Sequence, residues 1–387
     1  MTTSELPDQV SPAAEGAAED PRDLDTASQR RLIWLSFRRH RLAMAGGIVV
    51  LFLFFIALFV EFFAPFDPYE FNAKKIYHPP QMIHLIDRSD GGFAIRPYVN
   101  GMKIVRDPLT LQVKYEEDPD EKIYITFFGR GDPYKLWGLF EMDTHFIAPV
   151  NANQRFFLFG ADRLGRDVFS RTIYGTRLSM SIGLVGVTIS LIIGIILGGI
   201  SGYFGGAADT VIQRVIEVLI VLPSIPLWMG LSAAMPADWG VVMRYFAITV
   251  ILSLVGWTEI ARVVRGRFLS LRSEDFVTAA RLDGSSRRRV IFRHILPSTY
   301  SYIVTAVSLA IPAMILAETA LSFLGLGLLP PAISWGALLF EAQNIRSIVA
   351  GPWLFAPGIF VVVAVLAFNF LGDGLRDAAD PYASLGE

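Results

Sequence analysis

The side chains best suited to chemistry are few in this sequence, and their spacing excludes more than it allows. His40, His78, His84, His145 and His294 form no H-E-x-x-H or comparable pair, so the metal reading is none. Cysteine is absent, which excludes a disulfide scaffold, an iron–sulfur cluster and any thiolate zinc site. All six lysines lie between Lys74 and Lys135, and none follows a glycine. A phosphate-cradling G-x-x-x-x-G-K-[ST] loop needs that lysine, so the chain has no such device for hydrolysing ATP. An intramembrane hydrolase would need paired catalytic groups at matching depth, and no convincing Ser/His or Asp/Asp pair occurs. The expectation is a protein with no catalytic site and no cofactor of its own.

The stretch with the most to say is rich in arginine. Nine arginines fall between Arg262 and Arg293, against Glu274, Asp275 and Asp283. Ser273 suits an N-cap, with Glu274 and Asp275 placed at the positive end of a short helix. That helix would carry Phe276, Ala279 and Ala280 and end at Gly284, a residue free to turn the backbone. Ser285 would cap a second helix through Val290, Ile291 and His294, and Pro297 suits the first turn of an apolar span beyond it. The product is a helix–turn–helix element whose small alanines admit another protein closely. On the residues alone, it reads equally well as a basic loop lying on lipid headgroups.

The elements that must hold this segment are apolar. The chain of 387 residues is 53% hydrophobic and only 18% charged, with mean hydropathy +0.46 and net charge -2. That balance marks a membrane protein and argues against nucleic acid as a partner. Residues 42–60 carry no charge, and at about 1.5 Å per residue they span roughly 28 Å, close to a hydrocarbon core. Further apolar runs cover 178–208, 218–236 with Pro223 and Pro226, 245–258, 300–324 with Pro312 and Glu318, and 353–372. Six spans are expected, the fourth being the shortest. Arg30, Arg31, Arg38, Arg39 and Arg41 precede the first span and set the N-terminus in the cytoplasm. Six spans then put the arginine-rich segment and the C-terminus on the same side. Arg163, Arg166, Arg171 and Arg177 resist this scheme, since they fall on the outer side.

The boundaries follow. Residues 1–29 read as a disordered cytoplasmic tail, and 30–65 as a basic lead-in with the first transmembrane helix. Residues 66–177 form an extracytoplasmic insertion, 178–372 hold the remaining five spans, and 373–387 are a cytoplasmic tail. In the insertion, Asn100-Gly101 reads as a hairpin turn between Phe93–Val99 and Met102–Val105. Leu109, Leu111, Val113 and Tyr115 alternate with polar residues, and Ile123–Phe128 continues in β-prone types. The fold class is therefore an all-α polytopic membrane protein with a small β-rich insertion between its first two spans. Gly194, Gly198 and Gly202 form a small-residue face, read as helix packing. Glu217 and Glu318 lie near span ends, where a structural ion pair is the expected role. Pro223, Pro226, Pro312 and Pro357 are hinges or static kinks.

Ala279-Ala280, Gly284 and His294-Ile295-Leu296-Pro297 resemble the E-A-A-x-x-x-G-x9-I-x-L-P coupling loop of binding-protein-dependent ABC importer permeases. Thr278 replaces the Glu of that pattern and His294 the Ile. Phe159–Arg177, Glu318–Gly327, Phe368–Pro381 and Phe37–Ala43 are similar to stretches of the dipeptide/oligopeptide/nickel group. The resemblance covers about 31–65 and 157–385. It implies six helices of the importer-permease type and a coupling loop at 273–297. The coupling residues would be Phe276, Ala279, Ala280, Arg281, Gly284, Ser285, His294, Leu296 and Pro297. It further implies a second homologous permease, two cytoplasmic ATPase subunits that bind ATP and Mg, and an extracytoplasmic solute-binding protein. The location implied is a bacterial or archaeal plasma membrane. The cargo would be a peptide or related solute delivered by the binding protein, and no substrate-binding residue is named. An autonomous channel or secondary transporter is the rival reading. It would need several charges buried mid-span, which the second and sixth runs lack.

Overall fold

The computed structural model describes residues 36–87, 94–106, 113–236 and 238–379. The expected N-terminal tail, Leu109 and Leu111 fall outside those residues, as does the end of the C-terminal tail from 380 onward. The chain runs α1 (Arg41–Leu58), α2 (Val60–Phe63), β1 (His84–Asp87), β2 (Ala94–Arg106), β3 (Val113–Leu136), β4 (Phe140–Pro149) and α3 (Val168–Phe204). It continues through α4 (Gly206–Val221), α5 (Ser224–Ala233), α6 (Val241–Leu271) and α7 (Asp275–Leu282). Next come α8 (Arg287–Arg289), a π-helical turn (Val290–Ile295), α9 (Leu296–Ser298) and α10 (Tyr300–Phe323). After α11 (Trp335–Ala342) and α12 (Ile345–Ala350), α13 (Ala356–Ala379) closes the described chain.

Five helical stretches among the described residues are long and apolar enough to cross a bilayer: α1, α3, α6, α10 and Pro352–Ala378. The pair α4 and α5 makes a sixth if counted as one span, and it is bent by 89°. The weak member is thus the third span, where the fourth was expected to be. Pro223, the residue before α5, lacks an N–H and cannot extend α4, so the chain turns there. The fourth span is a helix of 31 residues, and in its C-terminal part Arg265 pairs with Asp209 while Arg267 lies over the Tyr302 ring.

The main core lies between α1, α3, α6, α10 and α13, around Val50, Met180, Ile182, Leu252, Ile315, Trp335 and Phe368. Close approach is bought with glycine: a Cβ on Gly46 of α1 would stand 2.6 Å from the Ala367 carbonyl of α13. Helix α3 starts at Val168, ten residues before the charge-free run, because Asp167 caps it by accepting from the Ser170 N–H at 2.7 Å. At 37 residues it is roughly 55 Å long, so its first turns stand outside the hydrocarbon.

The insertion folds as an antiparallel sheet in the order β1-β2-β3-β4. Asn100-Gly101 is not a turn: β2 runs straight through it, with a bulge against β3 where Asn100 pairs with Lys122 and Gly101 with Asp118. Among the described residues, the hairpin turn is the one between β3 and β4, where Trp137 (φ 53°) and Gly138 (φ 74°) both take the left-handed conformation.

Candidate functional site

The arginine-rich segment forms a helix–turn–helix as expected, with its caps shifted by one residue. Glu274, not Ser273, precedes α7, and Ser286, not Ser285, caps α8 by accepting from the Arg289 N–H. The end of α7 is closed by two reversed hydrogen bonds. The Ser285 N–H donates to the Ala280 carbonyl at 3.1 Å and the Gly284 N–H to the Arg281 carbonyl at 3.0 Å. This closure requires φ +75° at Gly284, where a side chain would be strained although no neighbour lies within 4 Å.

The element has an inner and an outer face. Val277 and Ala280 are buried, and Val277 joins Phe268, Val290, Ile295 and Ile303 in a small apolar core. Leu296 packs against the same core, and the Arg281 guanidinium lies 5.3 Å from the Tyr203 ring at the end of α3. Phe276, Ala279, Gly284 and Pro297 are exposed, while Ser285 and His294 are half-buried. Ala280, Arg281 and Leu296 therefore fasten the segment to its own chain, and Phe276 and Ala279 face outward.

Behind the element the helices are tied by one carboxylate. Arg265 of α6 donates from Nε and Nη2 to Asp209 of α4 at 2.6 and 2.7 Å, and the Ser201 hydroxyl of α3 donates to the same group. Arg272 reaches the Gly202 carbonyl at 3.4 Å. The glycine face of α3 lies against α6: a Cβ on Gly194 would stand 2.8 Å from Ile260, and one on Gly202 2.6 Å from Phe268. At Gly198 it would collide with the Ala261 carbonyl.

Arginines before and in the first turns of α3 are held in ion pairs, which sequence reading missed. Buried Arg166 joins Asp162 at 2.6 Å and Glu341 at 2.8 Å, and buried Arg171 reaches Glu341 at 3.3 Å and the Pro68 carbonyl at 3.2 Å. Arg177 forks onto Glu61 at 2.6 and 2.7 Å. Arg166, Arg171 and Arg177 are therefore neutralised, and Arg163 is exposed. The signal in the sequence was the excess itself, since a buried cation needs a carboxylate at hand. Burial pushes the Asp167 carboxyl up to about 6, against hydrogen bonds from Ser170 and Phe169 that lower it. Burial also pulls the His78 imidazole down to about 4.

Glu318 differs from its expected role. It is fully buried, and its Oε1 accepts from the hydroxyls of Ser322 at 2.8 Å and Ser334 at 2.9 Å, with no ion pair. Glu217 does pair, with Arg214 at 2.7 Å on the exposed side of α4.

Residues 191–384 match the family of binding-protein-dependent transport system inner membrane components. Residues 28–80 match the N-terminal transmembrane domain of oligopeptide transport permease C. A dipeptide transport system permease of Bacillus subtilis is 41% identical over 225 residues, 58% of this chain and 68% of that protein. An oligopeptide transport system permease of Haemophilus influenzae is 38% identical over 242 residues, 62% of this chain and 75% of that one. A glutathione transport system permease of Pectobacterium atrosepticum is 39% identical over 249 residues, 64% and 79% of the two chains. An inward-facing methionine ABC transporter aligns at TM-score 0.44 and 16% identity, covering 54% of this chain and 96% of that one. The chain belongs to the binding-protein-dependent transport system inner membrane components, the multi-pass, non-catalytic permease subunits of ATP-driven importers that work with separate ATPases and a solute-binding protein.

Proposed function

We propose that this permease imports peptides or related small solutes, and that α7 with its Gly284 cap is the element through which ATPase closure moves the spans. The observation that carries the reading is the division of α7 into an anchored and a free face. Val277 and Ala280 root it in the chain while Phe276 and Ala279 are presented outward. Arg281 on Tyr203, and Arg272 on the Gly202 carbonyl, link the element to the end of α3. The bidentate Asp209–Arg265 pair carries the link to α4. A push on α7 is thereby delivered to three helices at once.

In this reading a second, homologous permease completes the pathway, and the termini and the coupling segment face the cytoplasm. Exposed Thr278 carries no charge, so docking rests on the apolar face and the rigid cap. The names of the relatives, which include dipeptide, oligopeptide and glutathione systems, support a peptide cargo. The test is purification of the tagged chain from its own membrane in mild detergent. The reading expects two ATPase chains, a second permease, and ATP hydrolysis stimulated by the peptide-loaded binding protein. Solute movement by this chain alone, without ATP, sinks it.

A further inference from the structure

The two matched family regions leave residues 81–190 between them, and the whole sheet lies there. Its β3–β4 hairpin is not held out in solvent. The Trp137 indole N–H donates to the Leu58 carbonyl at 2.7 Å, at the last residue of α1. That carbonyl belongs to the unpaired end of a helix, and Arg177 also reaches it, at 3.2 Å. Leu58 falls inside the charge-free run 42–60, so the tip of the hairpin is set at the level where the apolar span ends.

The tip itself is apolar. Leu136, Trp137, Gly138, Leu139 and Phe140 follow one another without a polar side chain, and Leu139 and Phe140 are 75% and 58% exposed. Charge returns at the next rung, where Lys135 pairs with Glu141 at 3.2 Å. Exposed Phe127 and Phe128 lie on β3, and Phe128 contacts Phe62 with ring centroids 6.0 Å apart. The apolar surface is continuous with α1: Phe55 stacks near Phe59 at 5.0 Å, and Phe59 near Trp137 at 5.5 Å. On that helix Phe52, Phe55 and Leu58 are exposed as well, as residues facing lipid should be.

We infer that the β3–β4 hairpin is an interfacial anchor, with Trp137, Leu139 and Phe140 set into the acyl–headgroup boundary of the leaflet at the C-terminal end of α1. The occupant of this surface is lipid, because the patch continues the bilayer-facing side of a spanning helix and ends in an indole, the ring type that favours this boundary. Two amides of the turn are satisfied within it, which lowers the cost of entering such a layer. Gly138 N–H donates to the Lys135 carbonyl and Leu139 N–H to the Leu136 carbonyl, each at 3.0 Å. The anchor fixes the sheet's height above the membrane, and the inference depends neither on the cargo nor on the coupling role of α7.

The test uses the absence of cysteine. Leu139→Cys and Phe140→Cys are each nitroxide-labelled in the intact transporter in phosphatidylcholine–phosphatidylglycerol nanodiscs, with exposed Glu116→Cys on β3 as reference. Power saturation then compares collision with oxygen, which concentrates in lipid, and with a water-soluble nickel chelate. The anchor predicts an oxygen-to-nickel ratio several-fold higher at 139 and 140 than at 116. A nickel accessibility equal to that of 116 places the tip in water and overturns the inference. Shielding from both reagents shows a protein partner on the patch and overturns it equally.

Discussion

Arg265 and Asp209 meet through two parallel hydrogen bonds of 2.6 and 2.7 Å, joining α6 to α4 beside the last turn of α3. Both side chains are half-buried, at 30% and 20% exposure. Removing the guanidinium with Arg265→Met leaves a carboxylate with one hydroxyl partner where it had a fork. We expect a loss of about 2–3 kcal/mol in unfolding free energy, read by thermal denaturation in detergent. Arg265→Lys keeps the charge and loses the fork, so it should fall between the two.

The two kinds of glycine should respond differently. Gly198→Val drives its side chain into the Ala261 carbonyl of α6, and overpacking of this kind costs about 1–3 kcal/mol. Gly284→Ala meets no neighbour and pays only for its left-handed backbone, about 1–2 kcal/mol and confined to the cap. Thermal unfolding should therefore report mainly the first. The second should appear in coupling, as transport lost from a folded complex.

Asp167 and His78 give the segment between the first two spans two opposed pH responses. Asp167 is raised from 3.8 to about 6, so the folded state binds its proton more readily, and this group's contribution falls as pH rises from about 4 to 6. His78 is lowered from 6.5 to about 4, so the unfolded state takes its proton first, and its contribution is lost as pH falls from 6.5 to 4. Asp167→Asn keeps an acceptor for the Ser170 N–H and removes the charged form's burial cost. Unfolding curves at pH 7.5 should show that variant as stable as the parent or more so, by up to roughly 3 kcal/mol. His78→Gln should flatten the loss on acidification. Reversal of either slope contradicts the assignment.

Five of the six expected spans and the helix–turn–helix after α6 were legible because they rest on local signals: charge-free length, a glycine at a helix end, and proline placement. Features that depend on distant partners were not. Asn100-Gly101 carries a strong hairpin signal, yet pairing of β2 with the long β3 turns it into a bulge, while the β3–β4 turn uses Trp137, a residue with no local preference for φ above zero. The arginines before the second span looked like a breach of the charge rule until Glu61, Asp162 and Glu341 came to meet them from other elements. Glu318 was expected to find a cation and found serines, four and sixteen residues further on. The outward face of α7 was legible only in part, since nothing in the alternation of Ala279 and Ala280 says which of them its own chain covers.

The central claim is that α7 docks on an ATPase subunit. In a chain without cysteine, Phe276→Cys and Ala279→Cys give single probes on the exposed face, and Val277→Cys gives one on the buried face. The measurement is site-specific cross-linking with a short thiol–amine reagent in the assembled transporter, with and without nucleotide. The account predicts ATPase adducts from 276 and 279 whose yield changes on ATP binding, and none from 277. Adducts that bypass the ATPase at both exposed positions, in a complex that still transports, would contradict it.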